Sequence, residues 1–149
     1  MIEKPIEEVF SFVSNFENVP KWNYYVQRVT NLTGEKIGEG TTFHQIRESD
    51  QQRFKVIEYI PYKKVVVETL EGSSPDFTIM CEFEGSEGQT KFSYKWDLEL
   101  ANSGPGRILE KLAGRRVKEA VYQNLTKLKE LLESGQVTLQ NGRTSIYST

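Results

Sequence analysis

Residues 88–100, GQTKFSYKWDLEL, alternate apolar and polar side chains more regularly than any other part of this chain. One face of this segment carries Thr90, Phe92, Tyr94, Trp96, Leu98 and Leu100. The other face carries Lys91, Ser93, Lys95, Asp97 and Glu99. A period of two with one apolar and one charged face predicts an antiparallel strand that is buried on one side and wet on the other.

The segments before this strand have the same character. Apolar and β-branched residues dominate 24–32, 41–49, 53–60, 64–72 and 77–85, and short stretches rich in Gly, Pro, Ser and Asp separate them. Strands joined by connections this short pair with their sequence neighbours in an antiparallel meander. The sequence therefore predicts a sheet of six consecutive strands.

Helices flank the predicted sheet at both ends. Apolar residues follow Pro5 with helical spacing, at Ile6, Val9, Phe10 and Val13, which predicts an amphipathic helix of about ten residues. Residues 15–23 are interpreted as a turn and a short helix broken near Pro20. A long helix is predicted from about residue 107 to residue 133, and Gly135 marks its end.

The bulk composition limits the class of protein. The chain has 149 residues, of which 37% are hydrophobic, and a formal net charge of −2. These values fit one globular domain, assigned to residues 1–134, with a polar and mobile tail at 135–149. The scattered basic residues give no electrostatic case for nucleic acid. No apolar run is long enough to span a bilayer, so we expect no integral membrane segment.

Cysteine and histidine are too few for several kinds of chemistry. The chain has one cysteine, Cys81, and one histidine, His44, so an intrachain disulfide and a multi-ligand zinc site are excluded and no metal is expected. A single cysteine and no visible signal peptide favour the cytoplasm. Phosphate-binding and dinucleotide motifs are absent, and we expect no cofactor. A Ser-His-Asp triad would depend on His44, and the GxSxG elbow is missing.

Four stretches resemble the START-like (SRPBCC) superfamily, in its polyketide cyclase/dehydrase-like branch. They are IEKPIEEVFSFVSNFENVPKW at 2–22, GEGTTF at 38–43, VIEYIPYKKVVVE at 56–68 and GQTKFSYKWDLEL at 88–100. Their order makes the likeness specific over residues 2–133. The resemblance implies an α+β helix-grip fold, in which a curved antiparallel sheet wraps a long C-terminal helix with two short helices near the N-terminus.

The resemblance also implies a cavity between sheet and helix, and three functions are compatible with the fold. The first is binding of an apolar small molecule, such as a lipid or polyketide, as a carrier or sensor. The second is a cyclase, aromatase or dehydratase, which needs a general acid and base near the substrate; His44, Glu58, Tyr59 and Tyr94 are the candidates. The third is a protein-interaction module.

The long helix supplies the most specific site prediction. The middle of its apolar stripe contains the small residues Ala113 and Ala120 and the polar residue Asn124. Small residues there leave space against the sheet, and a buried amide needs a hydrogen-bond partner. Arg116 lies at the edge of the stripe. Whether Phe43 or His44 faces inward is left open by the alternation. The predicted ligand contacts are Trp22, Tyr25, His44, Tyr59, Phe77, Tyr94, Trp96, Arg116, Ala120 and Asn124.

The start of the chain departs from the family pattern. Only Met1, Ile2 and Glu3 precede Lys4 and Pro5, whereas members usually begin with a full strand. Three residues pair over about 10 Å, which would leave most of the last strand without a neighbour. We therefore expect either an upstream extension with a strand or a homodimer formed through that edge.

Overall fold

The computed structural model of this chain describes residues 1–34, 36–48, 50–70, 77–98 and 105–147, and of residues 77, 96–98 and 105–117 it describes the backbone only. Helix α1 spans Ile6–Ser14, and a 3₁₀ helix follows at Phe16–Lys21. The long helix α2 spans Pro105–Ser134. The strands are β1 Val26–Asn31, β2 Thr42–Arg47, β3 Gln51–Ile60, β4 Lys64–Thr69, β5 Phe77–Ser86, β6 Gln89–Leu98, β7 Gln136–Thr138 and β8 Thr144–Ile146.

Strands β1 to β6 form one six-stranded sheet in sequence order, and every neighbouring pair is antiparallel. The predicted meander, the α+β class and the long C-terminal helix are therefore confirmed. Two irregularities interrupt the ladder, between Val26 and Arg28 of β1 and between Val56 and Glu58 of β3. Such bulges bend a strand and increase its twist, which suits a sheet that folds over a helix.

One apolar core joins the sheet to the helices. Helix α1 buries Val9, Phe10 and Val13 of the predicted stripe, while Ile6 is half-buried. The helix also buries Phe12, which lies outside that stripe. Helix α2 contributes Leu128, Leu131 and Leu132, all essentially inaccessible to solvent. Three rings cross the interface: Phe16 lies edge-on to Phe43 and Phe54, with centroids 5.3 and 5.6 Å away. Phe16 thus fixes the 3₁₀ helix against the sheet, as aromatic pairs of this geometry do.

The first residues of the chain contact the edge strand β6 at one point. Ile2 and Thr90 exchange two backbone hydrogen bonds of 2.8 Å each, and they form an isolated antiparallel bridge. The Thr90 hydroxyl also donates to the carbonyl of Lys4, at 2.8 Å. The residues before Pro5 therefore lie where the resemblance places a first strand. A homodimer through this edge stays a prediction.

The residues after α2 differ from the mobile tail expected from the sequence. Strands β7 and β8 pair with each other, and Val137 and Leu139 are buried in the main core. The ring of Tyr147 lies edge-on to Phe12, with centroids 5.2 Å apart, and Arg143 donates to the carbonyl of Pro20. The hairpin is held because two alternate apolar residues, Val137 and Leu139, reach the core.

Candidate functional site

A cavity of about 300 Å³ lies between the sheet, the 3₁₀ helix and α2. Its apolar wall is formed by Phe16, Val19, Val26, Phe54, Val67 and Ile79. Most of these side chains also belong to the hydrophobic core, so the wall is built from packed side chains. Cavities from roughly 300 Å³ upward with mainly apolar walls are typical of small-molecule sites.

Helix α2 closes the cavity with small and medium-sized residues. Ala120, Val121 and Asn124 line it from the helix side. Ala120 ends at Cβ, so the space that a larger side chain would fill remains part of the cavity. The helix thus contributes both room and, through Asn124, a polar group.

Two buried polar atoms on the cavity wall have no hydrogen-bond partner within the described part of the chain. They are the indole Nε1 of Trp22 and the amide Oδ1 of Asn124. Trp22 is 4% exposed and Asn124 is 5% exposed. Trp22 ends the 3₁₀ helix, where its backbone N–H donates to the carbonyl of Val19, and its ring lies edge-on to Tyr94 with centroids 6.4 Å apart.

A second pair of amides is already satisfied. Gln45 lines the cavity, and its Nε2 donates to Oε1 of Gln52 at 3.2 Å on the neighbouring strand. Both side chains are buried. Because β2 alternates, the inward position of Phe43 places Gln45 on the same face two residues later.

Among the described residues, the cationic group on the cavity wall is neutralised by a neighbour. Arg47 lines the cavity, and its Nε and Nη2 donate to the two carboxylate oxygens of Asp50 at 2.7 and 2.6 Å. A bidentate pair of this kind fixes the guanidinium and balances its charge. The described residues of the wall therefore present little net charge to a molecule in the cavity.

Two buried ionisable groups of the wall, Cys81 and Tyr94, are held in their neutral forms. Burial raises the pKa of the Cys81 thiol to about 12. Burial also raises the pKa of the Tyr94 hydroxyl, with a smaller contribution from Cys81. Both effects arise because a charged form loses its hydration in an apolar environment. Neither group is a base near neutral pH.

Comparison with known proteins identifies the family of the chain that forms this cavity. The sequence model of the family described as polyketide cyclase / dehydrase and lipid transport matches residues 1–133. The chain belongs to this family. No curated protein matches this chain.

Solved structures share the fold of this member of the polyketide cyclase / dehydrase and lipid transport family. A START superfamily protein from Mycobacterium smegmatis has a TM-score of 0.66 at 20% identity, with 88% of this chain and 93% of that chain covered. TTHA0849 from Thermus thermophilus has a TM-score of 0.68 at 19% identity, with 87% and 90% covered. The Aha1 dimer from Colwellia psychrerythraea has a TM-score of 0.57 at 22% identity, with 89% and 90% covered.

The structure brings half of the predicted contact residues of this family member to the cavity. Trp22, Tyr25, Tyr94, Ala120 and Asn124 line it. Tyr25 lies at its rim, since its side chain is 44% exposed and stacks on Tyr24 with centroids 4.0 Å apart. Contact with a ligand is a proposal for each of them.

Two of the predicted contacts lie elsewhere. His44 points away from the cavity, because Phe43 occupies the inward position, and its Nε2 lies within hydrogen-bonding distance, 3.1 Å, of Gln51 Oε1. Tyr59 lies edge-on to Phe10, with centroids 5.6 Å apart, in a different part of the core. The side chains of Phe77, Trp96 and Arg116 fall outside the residues whose side chains the structure describes.

Several wall residues were missed by the sequence analysis, chiefly Gln45, Arg47 and Cys81. Cys81 shares a strand face with Ile79, so the alternation of β5 contained the signal. Gln45 and Arg47 follow from Phe43 once that residue is known to face inward. Within the described residues, no cluster of His, Cys, Asp or Glu is placed to hold a metal ion, and no helix is both long and apolar enough to cross a membrane.

Proposed function

We propose that this protein binds an apolar small molecule in the cavity between the sheet and α2, as a carrier or sensor. The observation that supports the proposal is the cavity of about 300 Å³ with an apolar wall and few polar groups. A ligand gains binding free energy when its apolar surface moves from water into such a cavity. The family description, which includes lipid transport, agrees with such a ligand.

Among the described wall residues, neither Cys81 nor Tyr94 is a base near neutral pH, and this favours binding over catalysis. A cyclase or dehydratase needs a group that accepts a proton near neutral pH. Burial raises the pKa values of Cys81 and Tyr94, so these two groups retain their protons. Arg47 is bound to Asp50 by two hydrogen bonds. A binding role needs none of these groups to react.

Filling the cavity tests the proposal. Ala120→Phe should place a ring in the space beside α2 and weaken the uptake of Nile red, an apolar dye whose fluorescence rises in apolar surroundings, by about tenfold. Stability should change little if the ring enters empty space, whereas a close-packed site would lose about 1–3 kcal/mol. Gln123→Phe is the matched control, because Gln123 is exposed on the same helix.

Equal dye affinity in Ala120→Phe, Gln123→Phe and the unchanged protein would contradict binding in this cavity. Failure of the unchanged protein to take up Nile red or any other apolar probe would contradict the function as a whole. If the unchanged protein does take up the dye, native mass spectrometry of protein prepared from its own source identifies the molecule that co-purifies with it.

A further inference from the structure

Two polar atoms in the cavity have hydrogen-bonding capacity that the described residues do not use. The indole Nε1 of Trp22 and the amide Oδ1 of Asn124 are buried, line the same cavity and have no partner in the described ranges. Buried polar groups in folded proteins nearly always have a partner, because burial without one costs free energy. Because both residues line the cavity, a molecule bound there is placed to supply the missing partner.

The two atoms need a partner with opposite hydrogen-bonding roles. An indole N–H only donates, so the partner must offer an acceptor to Trp22. An amide oxygen only accepts, so the partner must offer a donor to Asn124. A hydroxyl group does both, since its oxygen accepts while its hydrogen is donated.

The charges around the cavity favour a neutral partner. The guanidinium of Arg47 has two hydrogen bonds to Asp50, and the polar side chain of Gln45 is bonded to Gln52. A carboxylate moved into the apolar interior would lose its hydration without a free counter-charge on the described wall, which is costly. A neutral hydroxyl loses far less on the same transfer.

We propose that the ligand of this cavity carries a neutral hydroxyl group on an otherwise apolar skeleton, and that Trp22 donates to this hydroxyl oxygen while Asn124 accepts its hydrogen. The inference rests on the proposed binding function and adds the class of ligand. Trp22 and Asn124 act as specificity residues, and the apolar wall supplies affinity without distinguishing such ligands from hydrocarbons.

A set of matched naphthalenes tests this pairing by displacement of Nile red. β-Naphthol has a donor and an acceptor, β-methoxynaphthalene has an acceptor only, β-methylnaphthalene has neither, and β-naphthoate is charged. The unchanged protein should bind β-naphthol most tightly. Each hydrogen bond lost should weaken binding about fivefold, the factor that corresponds to one net hydrogen bond.

Two variants should separate the contributions. Trp22→Phe keeps an aromatic ring and removes the N–H, so it should weaken β-naphthol and β-methoxynaphthalene equally and leave β-methylnaphthalene unchanged. Asn124→Leu removes the acceptor, so it should weaken β-naphthol alone. Gln123→Leu is the matched control on the exposed side of α2 and should change none of the affinities. Circular dichroism checks that each variant is folded.

The probe series on the unchanged protein decides the question even if a variant fails to fold. Binding of β-methylnaphthalene as tight as that of β-naphthol would overturn the hydroxyl assignment and leave the apolar binding function standing. Tightest binding of β-naphthoate would overturn it too, in favour of an anionic ligand. Absence of Nile red uptake, seen before any competitor is added, would overturn the binding function and the hydroxyl assignment together.

Discussion

Cys81 shows at the scale of one residue how the cavity wall controls protonation. The thiol is fully buried and lies on the cavity wall of β5, and burial raises its pKa to about 12. The unfolded chain exposes the same thiol to water, where it ionises at lower pH. The difference between the two states makes stability depend on pH.

We predict that stability falls as the pH rises above the normal thiol pKa. The unfolded chain then releases the Cys81 proton while the folded protein keeps it, until the folded pKa of about 12 is reached. Release of this one proton lowers the free energy of unfolding by up to about 1.4 kcal/mol for each pH unit. Urea unfolding between about pH 8 and pH 11 measures it.

Cys81→Val removes the titrating thiol. The free energy of unfolding of this variant should therefore fall less steeply with rising pH, by the amount that Cys81 contributes. The remaining slope comes from other groups, among them Tyr94, whose pKa is raised by burial and, to a smaller extent, by Cys81, so the contribution of Tyr94 should change only slightly in the variant. Parallel pH profiles for Cys81→Val and the unchanged protein would show that the thiol is accessible to water in the folded state.

Asn124 and His44 show which single residues the sequence can place. Asn124 lies on a helical stripe whose other members are apolar, so a period of 3.6 residues puts it inside, and it is buried. His44 lies next to Phe43, and a period of two allows either residue to face inward. The packing of Phe43 against Phe16 and Phe54 decides between them, and that contact joins segments distant in sequence.

At the scale of elements, helix α1 approaches the sheet closely at Gly85 of β5. A Cβ atom built on Gly85 would lie 3.1 Å from Cβ and 3.2 Å from Cγ2 of Ile6. Real Cβ atoms rarely approach this closely, and the neighbour here is the stiff, branched side chain of a helix. The absence of a side chain at residue 85 therefore allows α1 to pack on β5.

Gly85→Ala should push α1 from the sheet and lower the free energy of unfolding by about 1–3 kcal/mol. Gly38→Ala is the matched control, because its added Cβ would meet no atom within 4 Å and its φ lies outside the left-handed region. That substitution should change stability by less than about 1 kcal/mol, with stabilisation as the expected sign. Thermal unfolding followed by circular dichroism compares the two, and equal effects would contradict the close packing at Gly85.

Strand β3 contains a bulge beyond which the alternation of apolar and polar residues no longer predicts which side chains face inward. The ladder of β3 with β4 pairs Val56 with Val67 and then Glu58 with Val66, so one residue is inserted on β3. Beyond this bulge the inward parity reverses, and Tyr59 turns toward Phe10 of α1. A period-two pattern predicts the existence of the strand but not the inserted residue, because the bulge depends on pairing with the next strand.

For the whole molecule, the β7–β8 hairpin joins the two ends of the fold. It bonds to α2 through the ammonium of Lys127, which donates to the carbonyl of Thr138 at 2.9 Å. It contacts the N-terminal helices through Tyr147 on Phe12 and through Arg143 on Pro20. The sequence does not indicate this docking, because two buried apolar residues are too few to set a recognisable period.

Leu139→Ala should destabilise the protein by about 2–5 kcal/mol, because it empties a buried position of the main core. Ile146→Ala in β8 is the matched control, since Ile146 is 68% exposed whereas Leu139 is 3% exposed, and it should change stability by no more than about 0.5 kcal/mol. Urea unfolding measures both. Equal, small effects would mean that the hairpin leaves the core readily, as a mobile tail would.

The cavity and the core share their walls, since Phe16, Val67 and Cys81 belong to both. A molecule seated there completes the packing on which folding depends. The folded population then follows the free concentration of that molecule, with a gain of about 2.7 kcal/mol at a hundredfold excess over its dissociation constant. In a cell, loaded copies would escape proteolysis while empty copies are removed, so the abundance of this protein would track the supply of its ligand.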